Sequence, residues 1–202
     1  MSNEKNSVSP SEMDPSDLPD VPAFQDEFTR DFLQSTEQTK KGYYPLLSGS
    51  NSFTMDFPKD MVISKESYNI QSSDKGETIV ISYPSHQGKA FIIQSLSYSH
   101  SQLSAEDSKE QMVNSAGREL NFQAIESSNE KQHIEIAEYE DDSLSIIEAL
   151  IWNDNNEAIQ THTTITCKEE TNKEECTKSK EIQKEKALDM LKSIQLIGDE
   201  SE

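Results

Sequence analysis

Apolar and polar residues alternate along most of this sequence, and the period of two gives way to a period near 3.6 in three places. A period of two predicts strands with one buried face, whereas a period of 3.6 predicts amphipathic helices. The alternating stretches are residues 52–57, 61–63, 68–70, 77–83, 89–98, 122–127, 133–140, 143–152 and 158–167. Polar turns at 84–88 and between the last four stretches predict a hairpin followed by a meander, and therefore a mainly antiparallel sheet.

The first helical stretch covers residues 21–41. Phe24, Phe28 and Phe32 form one apolar stripe there, and Gly42 follows as a stop signal. These features predict a single N-terminal helix.

The other two helical stretches lie in the middle and at the end of the chain. Ser104 and Asp107 have the spacing of a capping box, which predicts a middle helix to about residue 119. Ser179 can cap a closing helix with an apolar face from Ile182 to Ile197, and Gly198 can end it. The predicted fold class is α+β, a mainly antiparallel sheet flanked by an N-terminal, a middle and a C-terminal helix. We expect one domain over residues 23–202.

Residues 1–22 differ from the rest in composition, with four of the seven prolines, five serines, five acids and one base. Such a segment buries too little apolar surface to offset its ordering entropy, so we expect a flexible tether with a reach of roughly 25 Å. We interpret the chain as the mature part of a bacterial lipoprotein whose lipidated cysteine stood at the position of Met1. A natural cytoplasmic tail is the alternative.

The net charge of this 202-residue chain is −20, and its mean hydropathy is −0.79. A chain this acidic has no basic surface for phosphates, so we expect no binding to nucleic acid and no adsorption to anionic lipid. The most apolar stretch, residues 145–152, is too short to span a bilayer and contains Glu148. Contact with a membrane is therefore expected only through a lipid anchor outside this chain.

Cys167 and Cys176 enclose eight polar residues, which we interpret as a loop between the last strand and the closing helix. A structural disulfide is the favoured interpretation, and it requires an oxidising compartment. Zinc binding would need further ligands nearby, and redox catalysis would favour a closer spacing at a helix start. Two free thiols in a reducing cytoplasm are the remaining alternative.

The order of elements resembles that of PsbP-like domains. The resemblance rests on the strand SFTMDFP (Ser52 to Pro58), the middle helix from Ser104 and the closing LDMLKSIQL (Leu188 to Leu196). It implies an antiparallel sheet covered by helices on both faces, in proteins that act mostly as accessory or binding components of larger assemblies. The acidic tail, compact body and cysteine pair also resemble the ectodomains of small, uncharacterised lipoproteins of Gram-positive bacteria.

The sequence departs from PsbP-like domains in two respects. Met61 and Val62 stand where a tryptophan commonly follows the first Phe-Pro, and the Cys167 to Cys176 segment is an addition. We therefore transfer the fold and no partner-binding residue.

The four histidines are His86, His100, His133 and His162, and no nucleotide-binding or hydrolase motif accompanies them. His162 has the parity opposite to Ile159 and Ile165, which predicts a solvent-facing position.

Two groups of residues carry side chains of the types that bind metal ions. His133 with Glu135 and Glu138 could bind a metal, although a solvated sheet face is the simpler interpretation. Residues 154–157 offer oxygen ligands for weak calcium binding but read as a hairpin turn. Trp152 is interpreted as a core or rim residue. We expect no catalytic residue, no metal site and no cofactor.

The sequence therefore favours a non-enzymatic accessory or binding domain at the outer face of a bacterial membrane, engaging a protein partner of the cell envelope. One alternative is a cytoplasmic adaptor with a disordered N-terminal arm. Another is an enzyme, such as a hydrolase using His133 or His162 with acids from distant parts of the chain.

Overall fold

The protein is described by a computed structural model over residues 9–71, 75–85, 88–101, 103–127, 129–141 and 143–198. Its strands are β1 (Tyr43–Leu47), β2 (Phe53–Pro58), β3 (Val62–Ile63), β4 (Asn69–Ile70), β5 (Gly76–Ser82), β6 (Ala90–His100), β7 (Gln123–Ile125), β8 (Gln132–Asp141), β9 (Leu144–Asn153), β10 (Glu157–Cys167) and β11 (Gln195–Leu196). Its α-helices are α1 (Pro22–Gln25), α2 (Glu27–Arg30), α3 (Ala105–Ala116) and α4 (Lys173–Ser193).

The strands form two antiparallel sheets. The main sheet has the order β3-β5-β6-β10-β9-β8-β7, with β4 also paired to β5, and the small sheet has the order β1-β2-β11. The predicted fold class is therefore confirmed: a mainly antiparallel sheet with N-terminal, middle and C-terminal helices.

The register of the central strands gives the main sheet two different faces. On one face, called the core face below, Ile92 of β6 lies opposite Ile165 of β10, and Thr163 of β10 lies opposite Ile147 of β9. These residues are all buried. Because side chains alternate along a strand, the intervening residues project from the other side of the sheet, which we call the groove face.

The core face is covered by the small sheet and by α4. Phe53 and Phe57 of β2 and Met190 and Leu191 of α4 are fully buried in the same cluster as the core-face isoleucines. Burial of such a side chain contributes roughly 1.5 to 3 kcal/mol, so this layer supplies most of the hydrophobic stabilisation.

The prediction of one helix over residues 21–41 is wrong in extent. The structure has two helical turns, α1 and α2, and Asp26 ends the first and caps the second by accepting from the Thr29 amide at 2.7 Å. The chain then continues to β1, which the sequence analysis missed. Pro45 lies within β1, and it is tolerated because β1 is an edge strand of the small sheet.

The aromatic stripe packs, but on different partners. Phe24 meets Tyr44 edge-on at 4.7 Å between ring centroids, whereas Phe28 and Phe32 both pack on Tyr68. Tertiary packing thus satisfies these rings without a continuous helix.

Residues 9–21 precede α1 and contain two short 3₁₀ turns, Pro10–Glu12 and Pro15–Asp17. Leu18 is buried in the main core, and Met13 packs against it. Residues 1–8 of the expected tether lie outside the described residues, and its flexibility stays a prediction.

The middle helix begins as predicted. Ser104 accepts from the Asp107 amide while the Asp107 carboxylate accepts from the Ser104 amide, a reciprocal capping box. The helix ends at Ala116, and Gly117 follows with φ +65°, a left-handed conformation that favours glycine.

The closing helix differs from its prediction at both ends. Asn172, not Ser179, is the N-cap, and its side chain accepts from the Glu175 amide at 3.0 Å. The helix therefore begins earlier and places Ser179 in its interior. Its predicted apolar face is also wrong at Ile182, which is 63% exposed.

Gly198 does not end the closing helix. The chain leaves the helix after Ser193 and enters β11, where Leu196 pairs with Phe53. The final apolar residues thus extend the small sheet, and Gly198 follows β11 with φ +62°.

A disulfide joins Cys167 at the end of β10 to Cys176 in the first part of α4. The segment between them is not a loop throughout, because α4 already begins at Lys173. Cys167 has the parity of Ile165 and so approaches α4 on the core face. The bond fixes the start of the helix to the strand on which the helix packs.

Replacing both cysteines, C167S/C176S, is expected to lower the free energy of unfolding by about 2.5 to 3 kcal/mol, the loop-closure value for a ten-residue loop. Urea denaturation of the variant and of the parent, with and without reducing agent, measures the difference. Reduction should destabilise the parent similarly and leave the variant unchanged. Equal stability of oxidised parent and variant would contradict the expectation.

A buried carboxylate connects the two sheets. Glu77 of β5 is 2% exposed and accepts from the Gly49 amide at 2.8 Å, the Ser50 amide at 3.1 Å and the Ser50 hydroxyl at 2.6 Å. It thereby binds the turn between β1 and β2, whose amide donors would otherwise lack these partners.

Glu77→Ala leaves these buried donors without a carboxylate, so we expect a loss of about 3 kcal/mol in the free energy of unfolding. Glu126→Ala removes an exposed carboxylate and should cost less than about 0.5 kcal/mol. Chemical denaturation of both variants tests this, and equal losses would refute the role of Glu77.

Candidate functional site

The groove face of the main sheet is only partly covered. Helix α3 packs Met112 against Leu150 and Ala137 in a second, smaller hydrophobic cluster. Beside the helix, strand β6 leaves Ser97 and Ile93 exposed, with Ile93 at 43%, and the neighbouring strand β10 leaves His162 exposed. This uncovered half is where the sheet offers side chains to a ligand.

A groove of about 450 Å³ runs between α3 and this uncovered surface. Its apolar wall includes Met112 and Ala116 of α3 with Ile146 of β9, and its polar lining includes Ser95, Ser97, Gln160, His162, Thr164 and Glu148. Its volume lies in the range of small-molecule or side-chain binding pockets. We call this feature the groove below.

Glu148 and His162 form the charged centre of the groove. They are cross-strand partners in β9 and β10, and Nδ1 of His162 lies 2.7 Å from Oε1 of Glu148. The Glu148 side chain is 8% exposed, whereas that of His162 is 49% exposed. The hydrogen bond to Glu148 raises the pKa of His162 above its usual value of 6.5, against the opposing effect of burial.

Tyr139 supplies a second partner for the carboxylate. Its phenol donates to the same Oε1 of Glu148 at 3.2 Å, and both burial and this carboxylate raise the pKa of Tyr139. Arg118 lies over the Tyr139 ring at 4.4 Å and pairs with Asp141 at 3.6 Å. The arginine charge at this rim is therefore already compensated.

Ser95 completes a row across three strands. It lies opposite His162 in the β6–β10 pair, as Glu148 does in the β9–β10 pair. Among the described residues, no hydrogen bond joins the Ser95 hydroxyl to His162. The row places a hydroxyl, an imidazole and a carboxylate on one surface without the nucleophile-to-base contact of a hydrolase.

The predicted position of His162 on the solvent side of β10 agrees with the structure, but its partner was missed. The sequence feature that points to a partner is Glu148, a single charge inside the apolar stretch 145–152, because a buried carboxylate needs a partner. That partner could be identified only once the register of β9 and β10 was known.

The structure does not bring His133, Glu135 and Glu138 together. Glu135 pairs with Lys109 of α3 at 3.1 Å, whereas Glu138 projects from the core side of the sheet and pairs with Lys184 of α4 at 2.5 Å. His133 instead stacks on Trp152 at 5.2 Å between ring centroids. Trp152 thus belongs to the rim of the smaller cluster.

The remaining candidates have other partners or lie elsewhere. Glu157 is 4% exposed and accepts from Tyr98 at 3.1 Å and from Asn153 at 2.6 Å, so its carboxylate stabilises the hairpin turn. His100 lies at the end of β6, opposite Glu157. His86 is outside the described residues.

No helix in the described part of the chain combines the length and the hydropathy that a transmembrane helix needs.

Known proteins share part of this sequence. The profile of the YvcA_Mog1p family, described as "Putative lipoprotein YvcA", matches residues 19–195. The "Putative lipoprotein YvcA" of Bacillus subtilis (strain 168) is 41% identical over 88 residues, which cover 39% of this chain and 36% of that protein. The match thus spans little more than a third of the relative's length.

One solved structure, from Bacteroides thetaiotaomicron VPI-5482, aligns with 79% of this chain and 50% of its own. Its TM-score is 0.40 at 9% identity, a similarity too low to support a conclusion about fold or function.

Glu148→Gln is expected to lower the pKa of His162, because the amide cannot stabilise an imidazolium as a carboxylate does. NMR titration of the imidazole Hε1 signal measures this. Tyr139→Phe is the control: it removes one donor to Glu148 but keeps the pair, so the pKa of His162 should stay raised.

A raised folded-state pKa stabilises the protein below the pKa of an unfolded histidine, and this stabilisation is lost as pH rises through the folded-state value. Since His162 is half exposed, the contribution should not exceed about 1 kcal/mol. An unchanged His162 titration in Glu148→Gln would show that the pair does not form in solution.

Proposed function

The chain belongs to the YvcA_Mog1p family, and from this membership we propose that it is a non-enzymatic binding domain held by a lipid anchor at the outer face of a bacterial membrane. In this proposal the groove on the main sheet engages a protein partner of the cell envelope. The observation that carries the binding role is the half-covered groove face, on which cross-strand neighbours hold a buried carboxylate in an open cavity.

Three features support the location. The family description names a lipoprotein, and residues 1–22 have the composition of a tether. The Cys167–Cys176 bond also fits an oxidising compartment outside the cytoplasm, where disulfides persist. A cytoplasmic adaptor would instead hold both cysteines as thiols.

An enzyme is the second candidate, and one observation favours it. His162 contacts Glu148 through Nδ1, which leaves Nε2 available as a base beside the cross-strand neighbour Ser95. Hydrolysis of activated esters by the purified protein, lost in both Ser95→Ala and His162→Gln, would establish this candidate in place of the binding role.

The anchor and the disulfide are tested together by the intact mass of the endogenous protein, isolated from its own cells under thiol-blocking conditions with and without reduction. We expect a diacylglycerol-modified N-terminus and cysteines that react only after reduction. An unmodified N-terminus with two freely reactive thiols would overturn the membrane-anchored location.

The binding role is tested in the same cells with a photoreactive amino acid at Ser97 in the groove. A matched control carries it at Glu181, an exposed position on α4 and so on the other side of the sheet. Covalent adducts to one protein from position 97 and not from position 181 are expected. The same adducts at both positions, or none at either, would contradict a partner in the groove.

A further inference from the structure

Resting on the proposed binding role, we infer that the groove receives a basic side chain, lysine or arginine, of the partner protein, with its cationic end at Glu148 and its aliphatic stem along α3. Three observations support this ligand chemistry: the geometry of Glu148, the hydrogen-bond acceptors that line the groove, and its apolar surface.

Glu148 has one carboxylate oxygen to spare. The His162 imidazole and the Tyr139 phenol both contact Oε1, and among the described residues no hydrogen bond reaches Oε2. Glu148 lines the groove, and Oε2 is not among the fully enclosed unpartnered atoms of the described chain. A carboxylate more than nine-tenths buried therefore keeps an open acceptor toward the cavity, where a charged donor binds most strongly.

Other groups that line the groove also accept hydrogen bonds. When neutral His162 donates Nδ1–H to Glu148, its Nε2 becomes an acceptor, and the hydroxyl oxygens of Ser95, Ser97 and Thr164 line the same cavity. An ammonium or guanidinium group has only donors. Such a group can therefore donate to Oε2 and to these acceptors.

The cations near the groove already have partners. Arg118 pairs with Asp141, and Lys109 pairs with Glu135 and Glu106. Among the described residues, His162 is the only close cationic partner of Glu148. It carries a positive charge only while its imidazole is protonated. The protein charge of −20 adds long-range attraction for a basic partner.

The opposite wall of the groove fits the stem of such a side chain. Met112 and Ala116 of α3 line the groove across from the sheet, and Ile146 of β9, two residues from Glu148 on the same strand, adds apolar surface. Lysine and arginine bury their methylene groups on surfaces of this kind while the charged end reaches a polar partner. A purely apolar side chain would leave the Glu148 carboxylate unpaired, and an acidic side chain would be repelled by it.

Binding should depend on pH through His162. Protonation compensates Glu148 and converts Nε2 from an acceptor to a donor, so a cation should bind more weakly below the folded-state pKa of His162 and more tightly above it. The other titratable or charged groups facing this site are Glu148 and Tyr139 on the sheet, Asp141 and Arg118 at the rim, and the Lys109–Glu135 pair of α3 and β8.

The test uses the full chain and three probe peptides that differ at one position: lysine, acetyl-lysine or norleucine in an otherwise identical Gly/Ser sequence. NMR titration follows the His162 Hε1 signal and the amides of β9 and β10. We expect saturable shifts with the lysine peptide only, and tighter binding at pH 8 than at pH 5.5.

Three variants locate the interaction. Glu148→Gln should weaken lysine-peptide binding at least about tenfold, Glu135→Gln should change it less than about twofold, and His162→Gln should keep binding while removing its pH dependence. Dispersed amide spectra of each variant establish that it is folded, and His162→Gln, an exposed substitution, gives a result even if Glu148→Gln does not fold.

Equal shifts with lysine and norleucine peptides, or unchanged affinity in folded Glu148→Gln, would overturn the inference. Crosslinking at position 97 in cells is independent of it. Adducts there without a preference for lysine would refute the basic side chain and keep the binding role, whereas a lysine preference without adducts would refute the envelope partner.

Discussion

The antiparallel register between β9 and β10 is the constraint on which both the core and the groove depend. It places Thr163 opposite Ile147 on the core face and, one residue along, His162 opposite Glu148 on the groove face. A slip of one residue in either strand would exchange the two faces and bury an unpaired carboxylate among isoleucines. The hydrophobic core therefore determines the position of the Glu148 carboxylate. The hydrogen bond to the His162 imidazole on the neighbouring strand offsets the cost of burying it there.

The two faces of the main sheet are covered to different extents because of the order of the elements along the chain. The small sheet gathers β1 and β2 from the start of the domain and β11 from its end, so both ends of the chain close over the core face together with α4. Among the described residues, the groove face is covered by α3, which is 12 residues long, and by Leu120 and Phe122 after it, so part of the sheet stays uncovered. The groove face is therefore the face of the main sheet that is open to a ligand.

The sequence predicted the elements that depend on local pattern and failed where tertiary contacts decide. The strands β5, β6, β8, β9 and β10 and the capping box at Ser104 follow from alternation and spacing alone. The helix over 21–41 fails because its rings pack on Tyr44 and Tyr68, which no local pattern reveals. The prediction of the α4 N-cap fails because Asn172 and Ser179 are both acceptable caps. The disulfide at Cys176 places the start of the helix upstream of Ser179. His162 was placed on the correct face, but its pairing with Glu148 required the register between two strands.

Residues 9–21 determine the side on which the chain enters the domain. Leu18 lies in the main core and Met13 packs against it, so the chain enters the domain on the side of the core face. An anchor upstream of this segment would draw that side toward the bilayer. The groove, on the opposite face of the sheet, would then point away from the lipid surface.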